Sequence, residues 1–277
     1  MTRPQTSLRA SEPRAQGVRK LSGSAQARHD AGWFVADGPR VLQAAMEAGS
    51  PPRTLLVSAE QAAEGLDELA VQAERAGAEV VPIAASLLER IAPSARGQGM
   101  VGLFRLPGDA GEPQRVLAVG GPARVLLTWH VQDPGNLGAL VRSAAALGAR
   151  GLVAVGGADP WGPKAVRASA GALFHLPVAR WAEADPAQVV QGLSARGFQI
   201  VTAAAHGGAP PEEVDWSVRT ALLLGAEVAG LPPEIADACR AVTIPLDAPT
   251  ESLSVAAAGA VLLDRARQAA ANRGPAR

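Results

Sequence analysis

Between residues 123 and 246 the chain carries apolar runs too continuous for strands with one face in water: ARVLLTWHV at 123–131, TALLLG at 220–225 and AVTIPL at 241–246. A half-exposed strand alternates apolar and polar side chains, whereas an unbroken run belongs to a strand covered on both faces, the habit of parallel sheets flanked by helices. The runs recur with helical or loop-like stretches between them, so strands are expected at 123–131, 151–156, 176–180, 198–205, 219–225 and 241–246 of a mostly parallel sheet. A long closing helix is expected from about Ser252 to Ala271. The fold class is therefore α/β.

A shorter α/β alternation precedes this one. It reads as strand 33–37 (WFVAD), helix Pro39 to Ala48, strand 53–58 and helix Ala59 to Ala76, then strand 79–83, helix 85–92 and strand 99–106. Residues 107–122, PGDAGEPQRVLAVGGP, hold four Gly and three Pro where the pattern restarts. That composition suits a connection between domains, so the expected organisation is an N-terminal domain 1–106, a linker 107–122 and a second domain 123–277. The opening stretch is polar and expected to be loose over its first ~20 residues, with a short helix near Val18 to Leu21.

Composition excludes several functions. Cys239 is the single cysteine, so the chain can form neither an internal disulfide nor a thiolate zinc cluster, and the cytoplasm is the natural compartment. The four histidines have no ligand-like spacing, and no metal is expected. No run approaches ~18 apolar residues and the N-terminus does not look like a secretion signal, so no membrane association is expected. Neither a phosphate-binding GxxxxGK[ST] nor a GxGxxG opening a helix occurs. The net charge is zero, 26 basic against 26 acidic residues, yet residues 1–40 carry seven Arg/Lys against three acids and the last thirteen carry four Arg and no acid. Both ends could touch phosphate or serve only as solubilising tails.

Three stretches of the second domain hold residues that a core does not need. In DPGNLGALVRSAAALGA (133–149) a Gly/Pro/Asn loop leaves a strand and enters a helix with Leu140, Ala144 and Leu147 on one face; Asn136 and Arg142 lie near the carboxyl ends of the strands, where open α/β sheets place ligands. In LLLGAEVAGLPPEI (222–235) a strand runs into Gly225, Glu227 follows as an acid among apolar neighbours expected to be buried with a partner, and Gly230 permits a tight turn whose amides can bind a ligand. In IPLDAPTESLSVAAAGAVLLDRA (244–266) a polar loop leads through Ser252, Leu253 and Ser254 into an Ala-rich helix able to lie close to another backbone. Taken singly, each also fits a structural role: Asn136 or Ser252 as a helix cap, Arg142 as surface charge.

Together, in this order and spacing, the three stretches resemble the signature motifs of the SpoU/TrmH-type RNA ribose 2'-O-methyltransferases. PKAVRASAGALFHLPV (163–178) is similar to that family's linking helix and strand, and WFVADGPRVLQAAMEAG with GQGMVGLF to the RNA substrate-binding domain that many members carry in front. The resemblance spans roughly Lys20 to Gln268. It implies a trefoil-knotted catalytic domain, a homodimer with active sites built from both subunits, and S-adenosylmethionine held mainly by backbone groups. By motif position Gly225, Ile244 and Leu253, with Leu224, Gly230 and Ser254, would line the cofactor pocket. Asn136, Arg142, Glu227 and Ser252 fall at the catalytic and substrate-ordering positions.

The implied reaction methylates a ribose 2'-hydroxyl, most naturally in ribosomal RNA, with transfer RNA second. Family proposals make the first motif's arginine the base; a guanidinium is hard to deprotonate, and Arg142 reads better as a bidentate grip on the adjacent phosphate. Two positions depart from the commonest pattern: Ala226 stands where many members have Asn, and Ser254 where the third motif usually has Asn. Asp37 replaces the usual acid before the glycine of the N-terminal domain. The alternatives are a catalytically weak or inactive RNA-binding member of the same fold and a knotted base methyltransferase.

Overall fold

The computed structural model describes residues 13–59, 66–93, 99–247 and 252–272. They divide into two compact units, one of 1–108 with 161–174, the other of 109–160 with 175–277.

The first unit begins with α1 (Pro13–Gly23) and α2 (Ala25–Ala31). It continues with β1 (Trp33–Asp37), α3 (Pro39–Glu47), β2 (Thr54–Ser58), α4 (Leu66–Arg75), β3 (Glu79–Ile83), α5 (Ala85–Ile91) and β4 (Met100–Arg105). The sheet order is β1-β4-β2-β3, with β4 antiparallel to both neighbours and β2–β3 parallel. Of the opening stretch expected to be loose, 1–12 lie outside the described residues, while α1 is helical from Pro13 because Val18 and Leu21 enter the core with Val35, Leu56 and Val101. The expected helix from Ala59 is described only from Leu66.

The second unit opens with α6 (Gln114–Leu117), inside the stretch expected to be linker. Its Val116 and Leu117 are buried in the unit's main core, which gives an otherwise loop-like sequence a fixed place. Next come β5 (Arg124–Trp129), α7 (Pro134–Ala146) and β6 (Leu152–Val155). The chain then departs through α8 (Pro163–Ala168), which belongs to the first unit: Trp161 is buried there with the His29 ring at its edge, Phe174 joins Phe34 and Phe104, and Arg167 pairs with the buried Asp37. Back in the second unit follow β7 (Val178–Trp181), α9 (Pro186–Ser194), β8 (Gln199–Ala203), β9 (Thr220–Leu224), α10 (Pro233–Ala236), β10 (Arg240–Val242) and α11 (Val255–Asn272).

These six strands form one sheet, β10-β8-β9-β5-β6-β7, parallel throughout. β6 and β9 are buried along their whole length, as the unbroken apolar runs require. Because the order is not the sequence order, β9 and β5, nearly a hundred residues apart, run side by side, and so do the loops at their carboxyl ends. β10 is shorter than the strand expected at 241–246: from Thr243 the chain leaves the edge of the sheet, and Pro245 has no N–H for a ladder. The closing helix begins at Val255 rather than Ser252. α11 packs on α7, and at Gly259 a Cβ would meet Leu140 Cδ2 at 2.5 Å and Leu224 Cδ1 at 2.8 Å. Glycine at this position makes room for two leucine side chains, and α11 lies close along α7 as the small residues of its sequence lead one to expect. Of the third stretch, residues 248–251 lie outside the described residues.

Candidate active site

The loops after β5, β9 and β10 and the entry to α11 meet beyond the carboxyl ends of the parallel strands, the usual ligand position of an open α/β sheet. The loop after β9 is a tight hairpin: Ala226 and Gly230 exchange backbone hydrogen bonds of 3.1 and 3.0 Å, and Gly230 sits at φ +66°. Gly225 lies so close beneath this hairpin that a Cβ on it would come within 2.5 Å of the Gly230 carbonyl carbon, 2.7 Å of its oxygen and 2.9 Å of the Leu231 nitrogen. Only glycine fits there.

A cavity of about 460 Å³ opens beside the hairpin. Leu224, Gly225, Gly230, Ile244, Leu253 and Ser254 all line it, as do Glu227 and Ser252. The sequence reading missed Ala203 at the end of β8, Ala204 and Ala205 after it, and Leu231 and Leu246. The alanines carry no chemical signal; only the neighbouring of β8 and β9 brings them in. The wall combines small apolar side chains with backbone exposed by glycine, and Glu227 is the only ionisable group among its described lining residues. That set fits S-adenosylmethionine: flat apolar walls for an adenine, backbone donors and acceptors, and one carboxylate near a sulfonium cation.

A second, more open cavity of about 990 Å³ shares Ala226, Glu227, Val228 and Gly230 with the first and adds Trp129, His130, Gln132, Asp133, Asn136, Ala229 and Pro232. Where the two meet, the Glu227 carboxylate is held from the α7 side. Its Oε1 accepts from Asn136 Nδ2 at 3.1 Å and its Oε2 from the Gln132 backbone N–H at 3.3 Å. Asn136 does not cap α7. Asp133 does, its Oδ1 accepting the Asn136 backbone N–H at 3.0 Å with Pro134 at the first helical position, which frees the Asn136 amide for Glu227. Glu227 is exposed, contrary to the expectation of a buried acid. Partial burial pushes its pKa up, but the hydrogen bonds from the Asn136 amide, from its own backbone N–H and from those of Gln132 and Asp133 outweigh this and leave it below the ordinary carboxylate range. Glu227 is therefore an anion at neutral pH and orients neighbours rather than donating a proton.

Ser254 caps α11: its Oγ accepts the Ala257 N–H at 3.2 Å and its carbonyl accepts that of Ala258 at 2.9 Å. Ser252, two residues earlier, is exposed on the first cavity. Arg142 is set apart. It lies six residues beyond Asn136 on α7, about 9 Å along the axis and roughly 240° around it, exposed and lining neither cavity. Burial pushes the Cys239 thiol up to about 12, so it supplies no thiolate nucleophile. Among the described residues no group of three His, Cys, Asp or Glu is placed to hold a metal ion.

The SpoU rRNA Methylase family model matches residues 123–264, and the model of the MRM3-like substrate binding domain matches 12–102. The chain is 33% identical over 271 residues to the 23S rRNA (uridine(2479)-2'-O)-methyltransferase of Streptomyces viridochromogenes, covering 94% of this chain and 91% of that one. The crystal structure of the SpoU methyltransferase AviRb from Streptomyces viridochromogenes in complex with AdoMet is similar with a TM-score of 0.83 and 32% identity, covering 96% of this chain and 100% of that one. An AdoMet-bound rRNA methyltransferase from Sinorhizobium meliloti is similar with a TM-score of 0.78 and 28% identity, over 94% and 96%.

Proposed function

Because the chain belongs to the SpoU rRNA methylase family, we propose that it transfers the methyl group of S-adenosylmethionine to a ribose 2'-hydroxyl of ribosomal RNA, with transfer RNA as the second candidate substrate. The observation that carries the reading is the Glu227–Asn136 contact at the junction of the two cavities, with the first cavity suited to the cofactor and the second open enough for a nucleotide. When bound, S-adenosylmethionine supplies a methyl group on a sulfonium; the ribose oxygen forms a C–O bond as the C–S bond breaks, and the hydroxyl proton leaves.

The chain's own residues fix the geometry of that exchange. The hairpin of Gly225 to Gly230 holds the cofactor wall, and the Glu227 carboxylate offers a fixed negative charge while locking the Asn136 amide in place. Ser252 presents a hydroxyl to the first cavity. Arg142 grips the phosphate beside the acceptor ribose through its guanidinium fork, and the proton passes to phosphate or water. In one chain Arg142 stands outside both cavities, and Val228 on the hairpin is fully exposed. Both features support a homodimer whose active sites draw on both subunits. We place the enzyme in the cytoplasm with its RNA; among the described residues no helix is long and apolar enough to cross a membrane.

Tritium-labelled S-adenosylmethionine with unmodified 23S, 16S and transfer RNA transcripts tests the proposal. Label should enter RNA at a linkage that resists alkali. Label at an alkali-sensitive linkage would assign a base methyltransferase, and cofactor binding without transfer to any RNA would assign the inactive RNA-binding alternative.

A further inference from the structure

His130 follows β5 directly and lines the second cavity. It has φ +51°, left-handed backbone that side chains other than glycine seldom adopt. Two glycines after β6 make its seat: a Cβ on Gly156 would come within 2.6–2.8 Å of three atoms of the His130 ring, and one on Gly157 within 2.4 Å of the Val131 carbonyl oxygen. The Trp129 ring stands edge-on at 5.1 Å, the Gln132 side-chain amide donates to the His130 carbonyl at 3.1 Å, and the His130 N–H donates to Val155 O at 2.8 Å. The ring is thus immobilised from below and from one side, yet the residue is exposed and forms part of the cavity wall.

A strained backbone persists only where the surroundings over-determine it, and such positions gather at functional sites. Here the strained residue is an aromatic one that forms part of the wall of the cavity sharing Glu227 with the cofactor pocket. Trp129 and Pro232 line the same cavity, and Gln132 and Asn136 bring carboxamides to its edge, one set of groups suited to stacking a base and the other to meeting its polar rim.

We propose that the second cavity takes the nucleobase of the acceptor nucleotide, or of the one beside it, and that His130 is the stacking platform that positions it. The inference rests on the RNA methyltransferase reading above. The test uses His130→Asn, which removes the ring but tolerates left-handed backbone, and His130→Phe, which keeps an aromatic face. Each is assayed for transfer to 23S rRNA transcript and for equilibrium binding of that transcript in the presence of S-adenosylhomocysteine.

His130→Asn should raise KM and weaken RNA binding about tenfold, with kcat and S-adenosylmethionine affinity changed less than twofold; stacking on an aromatic side chain supports a loss of that order. His130→Phe should recover most of it. The slope of RNA affinity against salt should be the same in all three proteins. An RNA affinity unchanged in His130→Asn overturns the proposal. So does a salt slope that falls by about one in both variants, which would mark a phosphate contact instead. If His130→Phe does not fold, Gly156→Ala, whose Cβ would push the ring off its seat, should reproduce the KM rise; a normal KM there overturns it. Absence of methyl transfer by the wild type, with binding still weakened in His130→Asn, would sink the reaction and leave the stacking contact standing.

Discussion

Gly225→Ala isolates the packing that shapes the cofactor wall. The backbone of Gly225 does not lie in the left-handed region, so alanine is excluded there by space alone. Its Cβ would sit 2.5 Å from the Gly230 carbonyl carbon, and ordinary contact begins near 3.4 Å, so the hairpin or the end of β9 must yield by about 0.9 Å. The obstructing atoms are backbone and cannot rotate away. Overpacking of this kind costs about 1–3 kcal/mol, and a hairpin displaced by that distance also strains the reciprocal Ala226–Gly230 hydrogen bonds, each worth about 1 kcal/mol. A net loss of about 2 kcal/mol corresponds to a melting temperature lower by roughly 4–8 °C. The same displacement moves the wall against which the cofactor lies, so its Kd should rise at least tenfold, about 1.4 kcal/mol. Differential scanning calorimetry and isothermal titration with S-adenosylmethionine and S-adenosylhomocysteine read both effects. A Gly225→Ala protein with wild-type melting and a Kd within threefold of wild type would refute the assignment of this hairpin as the cofactor wall.

Three further perturbations address the polar groups. Because the Glu227 pKa in the folded protein lies below the ordinary value, the contribution of its carboxylate is fully present above that ordinary value and is lost as pH falls through the folded pKa. Asn136→Ala removes the principal side-chain hydrogen bond, so the acid limb of the transfer rate, followed from pH 7 to about 3, should move to higher pH and the neutral rate should fall about fivefold, the worth of one exposed charge-assisted hydrogen bond; an unmoved limb would remove Glu227 from the mechanism. Ser254→Ala should destabilise the protein by about 1 kcal/mol through loss of the α11 cap while Ser254→Asn should not, and equal melting losses in both would show that capping is not its role. Arg142→Lys keeps the charge and loses the fork, so transfer should drop about tenfold with cofactor affinity unchanged; a fully active Arg142→Lys enzyme would disprove the bidentate grip.

The sheet was legible in the sequence because burial on both faces leaves a local mark. β5, β6 and β9 each appear as unbroken apolar runs, and the helices between them carry their own period. Helix starts were less legible. Ser252 and Ser254 are equally good caps by chemistry, and the choice of Ser254 depends on which hydroxyl the folded chain brings to the Ala257 N–H. α6 was invisible, since the burial that gives Val116 and Leu117 a place comes from strands that follow them.

The sequence by itself determined the strands, the need for glycine at the turn after β9 and the set of residues competent for the chemistry, because hydrophobic period and backbone freedom are local properties. Tertiary structure alone decided how those residues combine. Asn136 and Glu227 are 91 positions apart and meet because parallel crossovers set β5 beside β9. Ala203 to Ala205 enter the cavity wall for the same reason, whereas Arg142, only six positions from Asn136, is turned away by the helix they share. Distance along the chain says little about distance in a parallel sheet, where every neighbour relation is made by a crossover whose destination is fixed by packing the whole domain.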